Sequence, residues 1–192
     1  VYGQDLYFNT GKNFTTYNYF NSKGETNPNI KSSNGAFYEI GYVNYMNSCR
    51  CDLYRFYYSA SITLNEYNAV GGDSVFAYSW NTQYIGAQAT GYYTLFPDAT
   101  VDLVPKIGLG MSYLLSGSQG IGGVYNSLGN QKEFSGIFFN PSMGLEGVYK
   151  WNNYVSLSFG YLLSKSLKLQ STTPEKLSFT THQIQFGLHF KL

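Results

Sequence analysis

The sequence predicts an all-β fold: one eight-stranded antiparallel up-and-down transmembrane β-barrel domain spanning residues 1–192. Three observations predict it. Apolar and polar residues alternate with a period of two, charge is scarce, and the connections between alternating segments are unequal in a regular order.

The alternation is cleanest in the third segment, 53–65. Tyr54, Phe56, Tyr58, Ala60, Ile62 and Leu64 form one phase, and Arg55, Tyr57, Ser59, Ser61, Thr63 and Asn65 form the other. A period of two over a dozen residues sends the two sets to opposite faces of a strand. Segment 103–115 repeats the pattern, with Leu103, Ile107, Leu109, Met111 and Tyr113 against Val104, Lys106, Gly108, Gly110 and Ser112. So do 155–163, with Val155, Leu157, Phe159 and Tyr161 against serine and glycine, and 183–192, with Ile184, Phe186, Leu188 and Phe190 against Gln183, Gln185, Gly187 and His189. Less regular segments at 6–17, 36–46, 76–96 and 138–149 complete a set of eight. Pro105 and Pro141 fall inside this set, and their missing N–H groups lead us to expect bulges there. Lys12 falls on the apolar phase of the first segment unless Gly11 marks a bulge that shifts the register.

Charge is the second observation. Charged residues make up 12% of the 192-residue chain, about half the roughly 25% of an ordinary soluble domain. Aromatic residues reach 19%, so much of the surface is expected to face something other than water. The net charge of +1 and the lack of a Lys/Arg cluster argue against nucleic acid as a partner. No window holds about 18 consecutive apolar residues, so a membrane would be crossed by strands. The N-terminal segment has no charged region followed by an apolar one, which is expected where a secretory signal is lacking or has been removed.

The third observation is the order of connections: 21–34, 47–52, 66–75, 97–100, 116–134, 150–153 and 164–176 alternate long and short, beginning and ending long. Outer-membrane barrels have short periplasmic turns and longer extracellular loops. Both termini are therefore expected in the periplasm of a Gram-negative cell. Gly117–Gly129, with Gly120-Ile121-Gly122-Gly123, resembles a phosphate loop in glycine content alone and is read as a flexible extracellular loop.

The composition of the polar phase decides which face points inward. A soluble lipid-binding barrel would crowd its wet face with Lys and Glu. Here that phase is Gly, Ser, Thr, Asn, Gln and Tyr, which suits the narrow lumen that eight strands enclose. Glu39, Arg55, Lys106 and Glu146 lie on the same phase. Facing lipid near the midplane, a basic group would cost about 2–4 kcal/mol; inside, opposite charges can pair. We expect Lys106 to pair with Glu146, with Arg55 joining from across the lumen, in a structural network that plugs the barrel. Tyr54, Phe96, Tyr149, Trp151 and Tyr154 are expected to form an aromatic girdle at the short turns, and Tyr113, Phe139 and Tyr161 one at the other boundary.

Candidate chemistry is sparse. Cys49-Arg50-Cys51 lies in the first short turn. It reads as a turn without chemical function, as a strained local or intermolecular disulfide, or as a metal or redox pair; two thiols are fewer ligands than metal sites want. His182 is expected on the lipid-facing phase and His189 on the inward one. Lipid A deacylases and palmitoyltransferases built on eight-stranded barrels use a His with a nearby Ser, but Ser178 lies about 13 Å along the strand from His182. No cofactor, metal or dinucleotide motif is expected.

The last segment, Gln185-Phe186-Gly187-Leu188-His189-Phe190-Lys191-Leu192, resembles the C-terminal assembly signal of outer-membrane barrels, with Gly187, Leu188, Phe190 and Leu192 as its marks. Leu192 departs from the commoner terminal Phe. Over its full length the chain resembles the small OmpA/OmpX-like barrel superfamily, and its Asn- and Tyr-rich style is similar to Bacteroidota members. The resemblance implies contact with outer-membrane lipid and lipopolysaccharide, and with the barrel-assembly machinery during biogenesis. No peptidoglycan-binding domain is expected after the barrel, so the anchoring role of full-length OmpA-like proteins is not implied. The expected function is non-enzymatic: a structural or interaction component, and an accessory subunit of a larger outer-membrane protein complex. A small pore or transporter is the alternative, followed by a lipid A-modifying enzyme. Removing Lys106 or Glu146 is expected to open a plugged lumen.

Overall fold

A computed structural model describes residues 4–20, 24, 30–46, 55–72, 77–129, 131, 134–169 and 176–192. Among the described residues nine strands follow one another: β1 (Gln4–Phe20), β2 (Ile30–Tyr45), β3 (Phe56–Gly71), β4 (Tyr78–Tyr93), β5 (Val101–Ile121), β6 (Val124–Ser127), β7 (Ile137–Lys150), β8 (Val155–Lys168) and β9 (Lys176–Lys191). The order β4-β3-β2-β1-β9-β8-β7-β5, with β4 also paired to β5, closes eight of them into an antiparallel barrel. Closure leaves the ring itself without an unpaired edge strand among the described residues. The short β6 lies outside this ring, paired with the end of β5.

Gln4 and Leu192 meet at one end, here called basal, where the Leu192 N–H donates to the Gln4 carbonyl. At the opposite, distal end the strands run further than the alternation suggested. β3 and β4 continue to Gly71 and Tyr78, so the expected long loop at 66–75 is largely barrel wall. The extension carries polar side chains such as Asn68, Asn81 and Gln83 on its outer face and buries Tyr67, Ala69 and Trp80 on its inner one. Ladder hydrogen bonds and this inward apolar packing hold it in place.

The segment read as a flexible loop at 117–129 also has regular structure. β5 and β6 form a hairpin through Gly122 and Gly123, whose φ values are +56° and +87°. Two consecutive positive φ angles define the tight primed turn that matches strand twist, and glycine adopts them without a Cβ clash.

The two prolines are accommodated without bulges. The β5–β7 register is continuous through Pro105 and Pro141. The Leu103 carbonyl accepts from Leu95, so odd-numbered residues of β5 direct their backbone groups towards β4. The β4–β5 ladder stops at Lys106, one residue short of Pro105. Likewise the β7–β8 ladder skips Pro141 and resumes in the same register. Each proline thus faces a gap where no N–H is required. Register shifts occur elsewhere, between Ser32 and Phe37 and between Gln83 and Tyr84.

The barrel is greasy outside and polar within. Ile62, Ile107 and Leu109 are 58%, 71% and 59% exposed, whereas Glu39, Lys106 and Glu146 are 5%, 5% and 3% exposed. Phe96, Tyr113, Tyr149, Trp151, Tyr154 and Tyr161 all face outward. Gly11 marks no bulge: β1 pairs with β2 and β9 without a shift, and Lys12 faces outward.

Candidate functional site

The lumen is built in three layers. Near the middle, Lys106 Nζ lies 2.7 Å from Glu146 Oε2 and 2.6 Å from Gln185 Oε1. The register sets this up. Glu146 faces Gly160 on β8, and Gly160 faces Gln185 on β9. Gly160 lies between two long inward side chains, and a Cβ there would meet the Leu145 carbonyl oxygen at 3.1 Å. The chain of bonds continues from Gln185 to Gln183, at 2.9 Å, and from Gln183 to Asn65. Asn13 joins at Asn65 through its side-chain amide, at 3.1 Å.

Glu39 and Arg55 have further partners of their own. Glu39 accepts from the Tyr7 hydroxyl at 2.8 Å and from the Asn9 amide at 3.0 Å. The Tyr7 ring lies over Gly41, where a Cβ would be 2.5 Å from its carbons. Arg55 precedes β3 at the basal end and donates Nη1 to the Leu95 carbonyl. Cys49, Cys51 and Tyr54 lie outside the described residues.

His189 is the residue whose part sequence reasoning missed. Its Nε2 lies 3.3 Å from Glu146 Oε1 and 3.1 Å from Ser158 Oγ. A Ser, a His and a Glu together invite comparison with a hydrolytic triad. The geometry does not serve one: serine and carboxylate share a single ring nitrogen, whereas a proton relay needs them on opposite nitrogens. His182 offers no better arrangement. It is exposed, its Nδ1 meets the Tyr161 hydroxyl at 2.5 Å, and its cross-strand neighbours are Phe14 and Leu163.

Above the polar layer lies an aromatic one. Tyr17, Tyr67, Trp80, Tyr84, Phe138 and Phe179 fill the distal lumen, joined by Leu128 and Phe134 from the segment after β6. Two of their polar tips are satisfied inside, where Tyr84 donates to the Phe134 carbonyl at 3.2 Å and Tyr17 to the Tyr67 carbonyl at 3.0 Å, whereas the buried Trp80 Nε1 has no partner among the described residues. Below the polar layer is a basal vestibule of about 590 Å³, lined by Asp5, Tyr45, Tyr57, Asp102 and His189 among others. Between vestibule and aromatic layer the described residues leave a cavity of about 20 Å³, room for about one water molecule.

No protein-family model and no curated protein matches the sequence. Solved structures do match in fold. Neisserial surface protein A (NspA) is 16% identical, with 98% of this chain and 97% of that one covered and a TM-score of 0.55. A major outer membrane protein from Thermus thermophilus is 11% identical, with both chains covered in full and a TM-score of 0.60. At such identities the likeness concerns architecture. The chain has the fold of the small outer-membrane β-barrels.

Proposed function

We propose that this chain is a non-enzymatic protein of the bacterial outer membrane, with the basal end in the periplasm and the distal end outside the cell. In this reading it is a structural and interaction component, and an accessory subunit of a larger envelope complex. The observation that supports it most is the filled lumen. A polar network centred on Lys106 and Glu146 and an aromatic layer centred on Phe179 occupy the axis in series. Such a barrel offers a partner its outer wall and its distal rim rather than a channel. The barrel-assembly machinery reads the terminal strand through Gly187, Leu188, Phe190 and Leu192, and lipid with lipopolysaccharide surrounds the apolar wall.

Purification from native outer membranes in mild detergent tests this reading. A stoichiometric larger partner is expected to co-purify. A clean monomer in every detergent tried overturns the subunit role, and a chain that dissolves without detergent overturns the location.

A further inference from the structure

Lys12 is an anomaly on the outer wall. It faces outward from β1 in unbroken register, paired with Ala36 on β2 and Ile184 on β9. These are the last outward apolar residues of their strands before Asn34 and His182, and on β1 only Phe14 follows before Thr16 and Asn18, so Lys12 stands within one outward step of the distal margin of the apolar band on this side. A lysine costs about 2–4 kcal/mol at the midplane of a bilayer and about 0–1 near its boundary. The long stem can carry the ammonium the remaining distance.

Two further groups continue the feature. Phe14 pairs with His182, one outward step beyond Lys12, and His182 in turn pairs with Leu163. Lys165 is the next outward residue on β8, paired with Thr180. Lys12 and His182 are therefore diagonal neighbours across one ladder, and His182 and Lys165 across the next, each step about 7–8 Å. Tyr161 holds Nδ1 of His182, which leaves Nε2 as the ring nitrogen for a ligand. Among the described residues no carboxylate pairs with Lys12 or Lys165. Glu66, on the same side, is committed to the Ala36 N–H at 2.9 Å.

We propose that Lys12, His182 and Lys165 form an outward-facing site for the phosphate groups of an anionic membrane glycolipid. The inference rests on the reading above that this wall faces lipid. The surroundings select the occupant. Phe14, Leu163, Ile184 and Leu167 stand between and beside the cations, outward or half-buried, so the surface presents positive charge on an apolar field. A free anion would use the charge alone; an amphiphile uses both.

The test is native mass spectrometry of the full chain in neutral detergent with three probes: bis-phosphorylated lipid A, enzymatically dephosphorylated lipid A, and inorganic phosphate. The phosphorylated lipid is expected to bind best. Lys12→Gln and Lys165→Gln should each weaken it by about fivefold, taking about 1 kcal/mol per basic residue near a membrane surface. The triple variant with His182→Gln should lose more than roughly tenfold. Lys12→Arg/Lys165→Arg, which keeps both charges, and Lys191→Gln at the basal end should bind as wild type and show that the barrel folds. Equal binding of the two lipids by a chain that sediments with outer membranes overturns the site alone. Full competition by inorganic phosphate assigns a free anion and overturns the lipid. A wild-type chain that needs no detergent overturns the reading beneath both.

Discussion

Tyr7 stacks on His189, ring centroids 5.5 Å apart and planes inclined by 17°, and the stack joins the two acidic centres of the lumen. The Tyr7 hydroxyl serves Glu39 on one side, and His189 serves Glu146 on the other. The expectation of one charge network therefore becomes two carboxylates, each with its own donors, bridged by a pair of rings. Lys106 is the cation that Glu146 holds at 2.7 Å, and its removal has the largest electrostatic consequence.

Lys106→Met leaves Glu146 buried with His189 as its remaining neighbour and leaves Gln185 without its donor. Breaking one side of a buried pair costs about 3–5 kcal/mol; with His189 in place the lower end applies, about 3 kcal/mol. Glu146→Gln keeps an acceptor for Lys106 beside Gln185 but removes the opposite charge, and should also cost about 3 kcal/mol. The double variant should be less destabilised than the sum of the two. Urea unfolding in lipid vesicles, followed by the fluorescence of buried Trp80, measures all three. Strict additivity would show that the pair contributes nothing specific.

Conductance separates the two layers of the plug. From sequence, replacing Lys106 or Glu146 should open the lumen. The aromatic layer revises that expectation, because Phe134, Phe138 and Phe179 close the distal side independently. Lys106→Ala/Glu146→Ala is expected to leave planar bilayers without steady current. Adding Phe134→Ala and Phe179→Ala should produce discrete channels. Current from the first double variant alone would mean that the aromatic layer does not seal.

The outer wall was legible because its physics is periodic. Ile62, Leu109 and Phe186 recur every second residue, and one face of a strand needs no more information than that. Lys106 with Glu146 was legible too, since both lie on the polar phase a few residues from adjoining turns. What could not be read depends on contacts between distant strands. Phe179 and Tyr67 lie on the inward phase, but nothing local says that the polar lumen gives way to aromatics at one end. Leu128 and Phe134 belong to a segment rich in glycine and serine, where two apolar residues are no pattern. The prolines misled for a related reason: a missing N–H is harmless where the neighbouring ladder has a gap, and a gap is a property of two strands.

Gly187 combines two roles that experiment can separate. It belongs to the terminal pattern proposed as an assembly signal. It also faces inward, where a Cβ would lie 2.2 Å from both Asn9 Oδ1 and Ser158 Oγ. Gly187→Ala should therefore destabilise the barrel by about 1–3 kcal/mol through overpacking. Ser158→Ala in the same chain should recover part of the loss by removing one of the two oxygens. Refolding into vesicles without assembly factors reads the packing effect. Normal refolding with defective insertion in cells would assign the glycine to the signal instead.

The outward face carries the strongest requirement. Ile62 lies near the middle of the outward run Phe56, Tyr58, Ala60, Ile62 and Leu64, and Leu109 near the middle of the longer run on β5. Each meets hydrocarbon if the barrel spans a bilayer. Ile62→Arg should then cost about 2–4 kcal/mol in vesicles, and Ile62→Leu much less. Spin labels on Ile62→Cys and Leu109→Cys should collide readily with molecular oxygen and rarely with a water-soluble nickel chelate. Ser116, exposed near the distal end of β5, provides the aqueous contrast. Labels at Ile62 and Leu109 that meet the chelate as freely as one at Ser116 place the apolar wall in water. In that case the lipid-facing orientation fails, and with it the cost assigned to a charge at either position.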